Sequence, residues 1–248
     1  MQPITLKIKR TASAAEGAGS FWQGFDVPFA DDSMSVLDGL IWVQRNADPT
    51  LAFRCACRVG MCGTCGVVIN GREGLACRTL MRTLVSDSNS EVRVEPMRHL
   101  PVIRDLATDM SVFQDKLRKA ASLGASESSD NGFAVISPGS AERQAIDPQR
   151  ECIYCGLCYS ACTVVGLNED FLGPAALNRA FVMLLDSRSV STPDDLDAVA
   201  NEQGLWRCHT LFECTAVCPK GISPTLAIQR LKKKVIGQKL KRLFRLAR

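Results

Sequence analysis

The sequence predicts an α+β protein in two parts, a small mixed unit over residues 1–105 followed by an all-α unit over 106–248. Three observations carry this expectation. Strand-like alternation at Ile4 to Lys9 and Glu91 to Glu95 brackets a helical pattern at Ser35 to Asn46. A small, polar, glycine-containing stretch, "SLGASESSDNG", interrupts the chain near its middle. From Asp147 onward, cysteine runs alternate with helical periodicity.

In "ITLKIKR" every second residue is apolar, the period of a strand with one buried face. Val36, Leu37, Leu40, Ile41 and Val43 recur at helical spacing, with Ser35 and Asp38 placed as an N-cap pair. A cysteine- and glycine-rich loop region separates that helix from the strand at Glu91 to Glu95. "HLPVIRDLATDMSVFQDKLRKA" then changes to a helical period, with Pro101 near the start of the expected helix. "SLGASESSDNG" is expected to be an exposed loop or linker. Beyond it, "GPAALNRAFVMLLDSR" and "SPTLAIQRLKKKVIGQKLKRLFRLAR" are expected helices, and there is no long internal repeat.

Composition narrows the class. An apolar content of 46% with 23% charged residues is that of a globular protein rather than a disordered chain. No apolar stretch approaches the roughly 20 residues a membrane-crossing helix needs. The N-terminus enters "ITLKIKR" without a signal or transit pattern, so the mature chain is expected to start near Met1. Twelve cysteines without an export signal point to metal or redox sites rather than disulfides.

Their spacing names the chemistry. Cys57, Cys62, Cys65 and Cys77 read C-x4-C-x2-C-x11-C, which begins with the plant-type spacing for a 2Fe-2S cluster. Gly60, Gly63 and Gly66 allow a tight loop and a close approach of backbone to inorganic sulfur. Zinc is the alternative, but it usually takes a second short cysteine pair, which is missing here. Cys55 fits no template and is expected to be a small buried thiol.

Cys152, Cys155, Cys158 and Cys162 form a full C-x2-C-x2-C-x3-C run. In two-cluster ferredoxins the fourth cysteine of such a run serves the other cluster, so the two runs are read together. Cys152, Cys155 and Cys158 then join Cys218 in a 4Fe-4S site, while Cys162 joins Cys208 and Cys214 in a site with three thiolates. Leu211 stands where the fourth cysteine of "RCHTLFECTAVCPKG" belongs, and leucine has no donor atom. The expected product is a 3Fe-4S cluster; the alternative is a packed Leu211 with water or a neighbour ligating a fourth iron. Thr163 replaces the proline that usually follows the run, a change expected to affect loop stiffness more than ligation.

The order of sites, carried by "CRVGMCGTCGVVINGREGLAC", "LPVIRDLATDM", "CIYCGLCYSAC", "FLGPAALNRAF" and "CHTLFECTAVCPKGISP", resembles the iron–sulfur subunit of succinate dehydrogenase and fumarate reductase over nearly the whole chain. The resemblance implies an N-terminal β-grasp 2Fe-2S ferredoxin-like domain and an all-α two-cluster ferredoxin domain. It also implies a flavoprotein partner with covalent FAD, membrane-anchor subunits and a quinone. Electrons from succinate would pass from FAD through 2Fe-2S, 4Fe-4S and 3Fe-4S clusters to the quinone, or in reverse for fumarate reduction. The implied place is the cytoplasmic face of a bacterial membrane, held there peripherally by the anchors.

At the quinone end, "CTVVGLN" has Gly166 and Leu167 where ubiquinone-using relatives place a tryptophan. "GLCYSAC", "GLNEDFLGPAAL" and "GLW" are more similar to menaquinol-linked fumarate reductases, which points to menaquinone. The resemblance implies quinone contacts for His209, Gln229 and Lys232, the last two at a spacing that shares one helix face. A packed His209 and a solvated Lys232 are the alternatives.

The tail "LKKKVIGQKLKRLFRLAR" has eight Lys or Arg, no acid and interleaved apolar residues, the pattern of a basic amphipathic helix near anionic headgroups or of a solvated helix. Nucleic-acid binding is disfavoured because the rest of the chain has no electropositive domain. Outside the resemblance, a free-standing ferredoxin-like carrier or the iron–sulfur component of another quinone- or disulfide-linked complex are the competing functions.

Overall fold

The computed structural model describes residues 3–11, 19–29, 31–86, 89–121, 135–189 and 193–246. The expected linker "SLGASESSDNG" lies outside the described residues. The chain divides into two compact units, Met1–Val112 with Ile153–Ala161, and Phe113–Cys152 with Cys162–Arg248.

The first unit is built on a five-stranded mixed sheet. Its strands are β1 (Ile4–Thr11), β2 (Ser20–Val27), β3 (Gly66–Ile69), β4 (Arg72–Leu75) and β5 (Glu91–Glu95), in the order β2-β1-β5-β3-β4. Ile4, Leu6 and Ile8 of β1 are buried while the residues between them are half-exposed, as the alternation predicts. β1 runs parallel to β5 and antiparallel to β2, so the chain must leave the sheet between β2 and β5. Helix α1 (Val36–Asn46) lies in that connection and buries Val36, Leu37, Leu40 and Val43. Ser35 caps it as expected: its hydroxyl accepts the Asp38 N–H and the Asp38 carboxylate accepts the Ser35 N–H. A methyl on Gly39 would come within 2.8 Å of Leu6 Cδ1, so the helix lies directly on β1. A mixed sheet with a helix packed across it is the expected β-grasp arrangement.

One expected helix begins later than its periodicity suggests. Residues 102–108 form a short hairpin, β6 (Val102–Arg104) and β7 (Ala107–Thr108), and helix α2 (Ser111–Ala121) starts only after it. The hairpin is held by Asp105, which is 1% exposed and has a φ of 49°. Its carboxylate accepts Arg10 Nε at 2.9 Å and the N–H groups of Thr11 and Ala52 at 3.1 and 2.9 Å. These tertiary partners outweigh the local helical pattern.

The second unit is helical. Its helices are α3 (Ala141–Ile146), α5 (Thr163–Leu167), α6 (Pro174–Leu185), α7 (Pro193–Asp197), α8 (Glu213–Ala216) and α9 (Pro224–Leu246), whereas α4 (Leu157–Ser160) belongs to the first unit. Its core is α6 packed on α9, where Leu177, Ala180, Phe181, Ala227, Ile228 and Leu231 are buried. Pro174 sits in the first turn of α6, where its missing N–H costs nothing. Lys116 on α2 donates to the Phe171 carbonyl at 2.8 Å, tying α2 to the approach to α6. No helix among the described residues is long and apolar enough to cross a membrane.

Candidate metal centres

The first cysteine set converges in the first unit. Arg58, Gly60 and Gly63 all have positive φ, so the loop between α1 and β3 curls tightly. The curl aims N–H groups at sulfur: those of Val59, Met61 and Cys62 donate to Cys57 Sγ at 3.5, 3.2 and 3.3 Å, and that of Thr64 donates to Cys62 Sγ at 3.5 Å. Hydrogen bonds from the Thr64 side chain and from the Cys57 and Thr64 backbone bring the Cys62 thiol down to about 6, within reach of the thiolate at neutral pH. Burial pushes Cys65 up to about 12, opposed by a hydrogen bond from the Cys77 backbone, while the Cys77 and Cys62 sulfurs add to the rise. A buried thiolate beside other thiolates needs a positive partner, which iron supplies.

Cys77 reaches this loop because of a hairpin that composition alone concealed. β3 and β4 pair from Gly66–Leu75 to Ile69–Arg72 around Asn70-Gly71, both with positive φ, and the Ala76 N–H donates to the Cys65 carbonyl at 3.0 Å. The x11 gap is therefore one hairpin that returns the fourth cysteine beside the third. Asn-Gly between apolar runs is the signal that could have revealed it.

Cys55 differs from expectation. It is exposed, as are Arg54 and Ala56 on either side of it.

Cys155 and Cys158 fall in the first unit, and Cys152 and Cys218 in the second. A Cβ on Gly63, whose φ is 72°, would lie 2.6 Å from Cys155 Cβ and 3.0 Å from its Cα, so only glycine lets the two cysteine loops approach. The segment Ile153–Ala161 is anchored by Ser160, which is fully buried. Its hydroxyl donates to buried Glu73 at 3.0 Å and accepts the Arg98 N–H at 2.8 Å, while Arg98 pairs with Glu73 at 3.2 Å. Nothing in the sequence pattern singles out this trio.

Cys162, Cys208 and Cys214 line one open recess in the second unit. Leu211 lines it too and is 54% exposed, on a loop where Thr210 and Phe212 both have a φ of 63°. Burial pushes the Cys162 thiol up to about 11, with the charges of Cys214 and Glu213 adding. Burial raises Cys214 as well, opposed by the Thr225 hydroxyl 3.2 Å from its sulfur. Two buried cysteines, a half-buried third and one donorless side chain around a recess fit a cluster with three thiolate ligands.

The residues implied at the quinone end gather at the same loop. His209 is exposed and lines the recess. Gln229 donates to Thr210 Oγ1 at 2.7 Å and Lys232 to the Cys208 carbonyl at 2.8 Å, so one face of α9 grips the cysteine loop. Lys232 is half-buried rather than simply solvated.

Among the described residues, no group of three or more His, Cys, Asp or Glu side chains is placed to hold a single metal ion.

Residues 5–115 match the family described as a 2Fe-2S iron–sulfur cluster binding domain, and residues 148–222 match the 4Fe-4S dicluster domain. The fumarate reductase iron–sulfur subunit of Mycobacterium tuberculosis is 40% identical over 247 residues, covering 98% of this chain and 97% of its own. The chain belongs to the family of succinate dehydrogenase and fumarate reductase iron–sulfur subunits. Both branches of that family are represented: a rice mitochondrial succinate dehydrogenase [ubiquinone] iron–sulfur subunit is 36% identical, covering 92% of this chain and 81% of its own. Among solved structures, a chain of the Mycobacterium smegmatis Sdh1 complex in the apo form superposes with a TM-score of 0.82 at 30% identity, covering 96% of this chain and 98% of that one. The two-part fold is thus shared with a chain of that complex over nearly the whole of both chains.

Proposed function

We propose that this iron–sulfur subunit carries electrons between a FAD-containing flavoprotein subunit and a quinone, with Cys57, Cys62, Cys65 and Cys77 holding a 2Fe-2S cluster. Cys152, Cys155, Cys158 and Cys218 hold a 4Fe-4S cluster by their spacing, and Cys162, Cys208 and Cys214 hold a 3Fe-4S cluster. When bound, such clusters take up and release single electrons at potentials set by type, charge and hydrogen bonding. The chain's own groups bind and tune them: N–H groups around Cys57 favour charged sulfur, and the Thr225 hydroxyl does the same at Cys214.

The observation that carries this reading is Leu211, on the rim of a recess with three cysteines and standing where a fourth thiolate would complete a 4Fe-4S site. Membrane-anchor subunits would hold the protein peripherally on the cytoplasmic face of a bacterial membrane. Gly166 and Leu167 in place of a tryptophan favour menaquinone, with His209, Gln229 and Lys232 at its side of the chain.

The test is low-temperature EPR of the purified assembly. Wild type is expected to show an oxidised 3Fe-4S signal that vanishes on reduction. Leu211→Cys supplies the missing sulfur, and its expected result is loss of that oxidised signal with one more iron per chain. Wild-type protein with full iron and no oxidised 3Fe-4S signal would sink the assignment.

A further inference from the structure

Thr163 stands where the C-x2-C-x2-C-x3-C run ordinarily continues with proline. It offers two donors that proline lacks, and both are used. The Thr163 N–H donates to Glu213 Oε2 at 2.8 Å, and the Thr163 hydroxyl donates to Glu213 Oε1 at 2.6 Å. Thr163 directly follows Cys162, and Glu213 directly precedes Cys214. Each opens a short helix, α5 and α8, so the two-pronged contact joins two separate segments at their cysteines. Glu213 also lines the three-cysteine recess. Both donors are neutral groups, so the contact sets the carboxylate's position without placing an opposing charge against it.

We propose that Glu213 is a positioning residue of the three-cysteine site: clasped by Thr163, it ties the Cys162 and Cys214 segments together and holds a fixed negative charge beside the cluster, which lowers the cluster's reduction potential. The inference rests on the 3Fe-4S reading above. Its sign follows from Coulomb's law. Reduction adds one electron to the cluster, and a neighbouring negative charge raises the energy of the reduced form more than that of the oxidised form. A lower potential suits exchange with a lower-potential quinone.

The two halves of the proposal separate by substitution. Glu213→Gln keeps a side-chain oxygen for the Thr163 donors and removes the charge. Thr163→Pro keeps the charge and removes both donors, at a position where proline is compatible with the run. Thr163→Ser keeps everything. The measurement is the midpoint potential of the 3Fe-4S EPR signal in the intact complex, titrated with redox mediators. Glu213→Gln is expected to raise the midpoint, with the reduced-to-oxidised ratio at a fixed ambient potential rising up to about tenfold, equivalent to 59 mV for one electron.

Thr163→Pro is expected to raise the midpoint by less and to broaden the signal, as a freed carboxylate moves into solvent and the two segments loosen. Thr163→Ser is expected to match wild type in both. An unchanged or lowered midpoint in Glu213→Gln would overturn the charge effect, and a wild-type midpoint and line shape in Thr163→Pro would overturn the clasp. Either result leaves the three-thiolate cluster standing, because the signal being titrated is present. If wild type has no such signal, it is the cluster assignment that fails.

Discussion

Arg10 is where three distant parts of the first unit meet, and the chemistry is that of one guanidinium shared by two carboxylates. It pairs with Asp105 at 2.9 Å and Asp48 at 2.7 Å, and also reaches Gln23 and Thr50. Burial opposes the Arg10 charge, but its hydrogen bonds to Asp48 and Asp105 more than offset that and raise its pKa. Asp48 is brought down to about 2, first by the Thr50 hydroxyl and then by Arg10. A carboxyl lowered in the folded state adds stability that is complete above the ordinary aspartate range near about 4 and is lost as pH falls from there toward 2. Full conversion of that shift would be about 2 kcal/mol, and solvent at this partly open carboxylate screens it to about 1 kcal/mol. At pH 7, Asp48→Asn is expected to lose about 1 kcal/mol in urea unfolding, and its gap to wild type should close as pH falls from about 4 to about 2. A gap of constant size across that range would remove the charge from the explanation.

At the scale of elements, the β3–β4 hairpin sets the 2Fe-2S site and α9 sets the three-cysteine site. Gly71 in the hairpin turn has a φ of 82° and open space where a Cβ would stand, so a substitution there tests backbone strain without a clash. Gly71→Val is expected to cost about 1–2 kcal/mol through the left-handed conformation alone. Because the hairpin returns Cys77 beside Cys65, the same variant should bind less 2Fe-2S cluster, read as visible absorbance per chain. Normal cluster content in a destabilised variant would show that the cysteines find one another without the turn. α9 acts differently, because its polar side chains hold backbone: Gln229 and Lys232 grip residues 208–210, and Lys234 donates to the Leu184 carbonyl of α6 at 3.1 Å. The basic run at its middle is thus partly structural, while Ile236 and Leu240 remain exposed on it.

Over the whole molecule, the twelve cysteines dominate the chemistry, and the function proposed above places the dicarboxylate site on the flavoprotein subunit. Succinate should therefore bleach the visible absorbance of this chain only when the flavoprotein subunit is present, whereas dithionite should do so either way. Reduction of the isolated chain by succinate would place a dicarboxylate site on it and overturn the division of labour proposed above. The flavoprotein and anchor subunits are expected to accompany the chain through mild purification from membranes.

What the sequence determined by itself was periodicity and ligand type. Alternation in "ITLKIKR", the Ser35 cap of α1 and the long pattern of α9 are local properties, written in neighbouring residues, and the thiolate spacings with Leu211 among them are equally local. The tertiary structure decided what depends on residues far apart in the chain. Asp105 overrides a helical pattern because Arg10, Thr11 and Ala52 arrive from elsewhere to satisfy its buried carboxylate. Cys55, a small thiol with no cluster spacing, is left exposed rather than buried. Thr163, locally only a missing proline, becomes one half of a clasp because Glu213, fifty residues later, brings a carboxylate to its two donors. A side chain's type is carried by the sequence, but the partner that satisfies a buried or charged group is chosen by the fold.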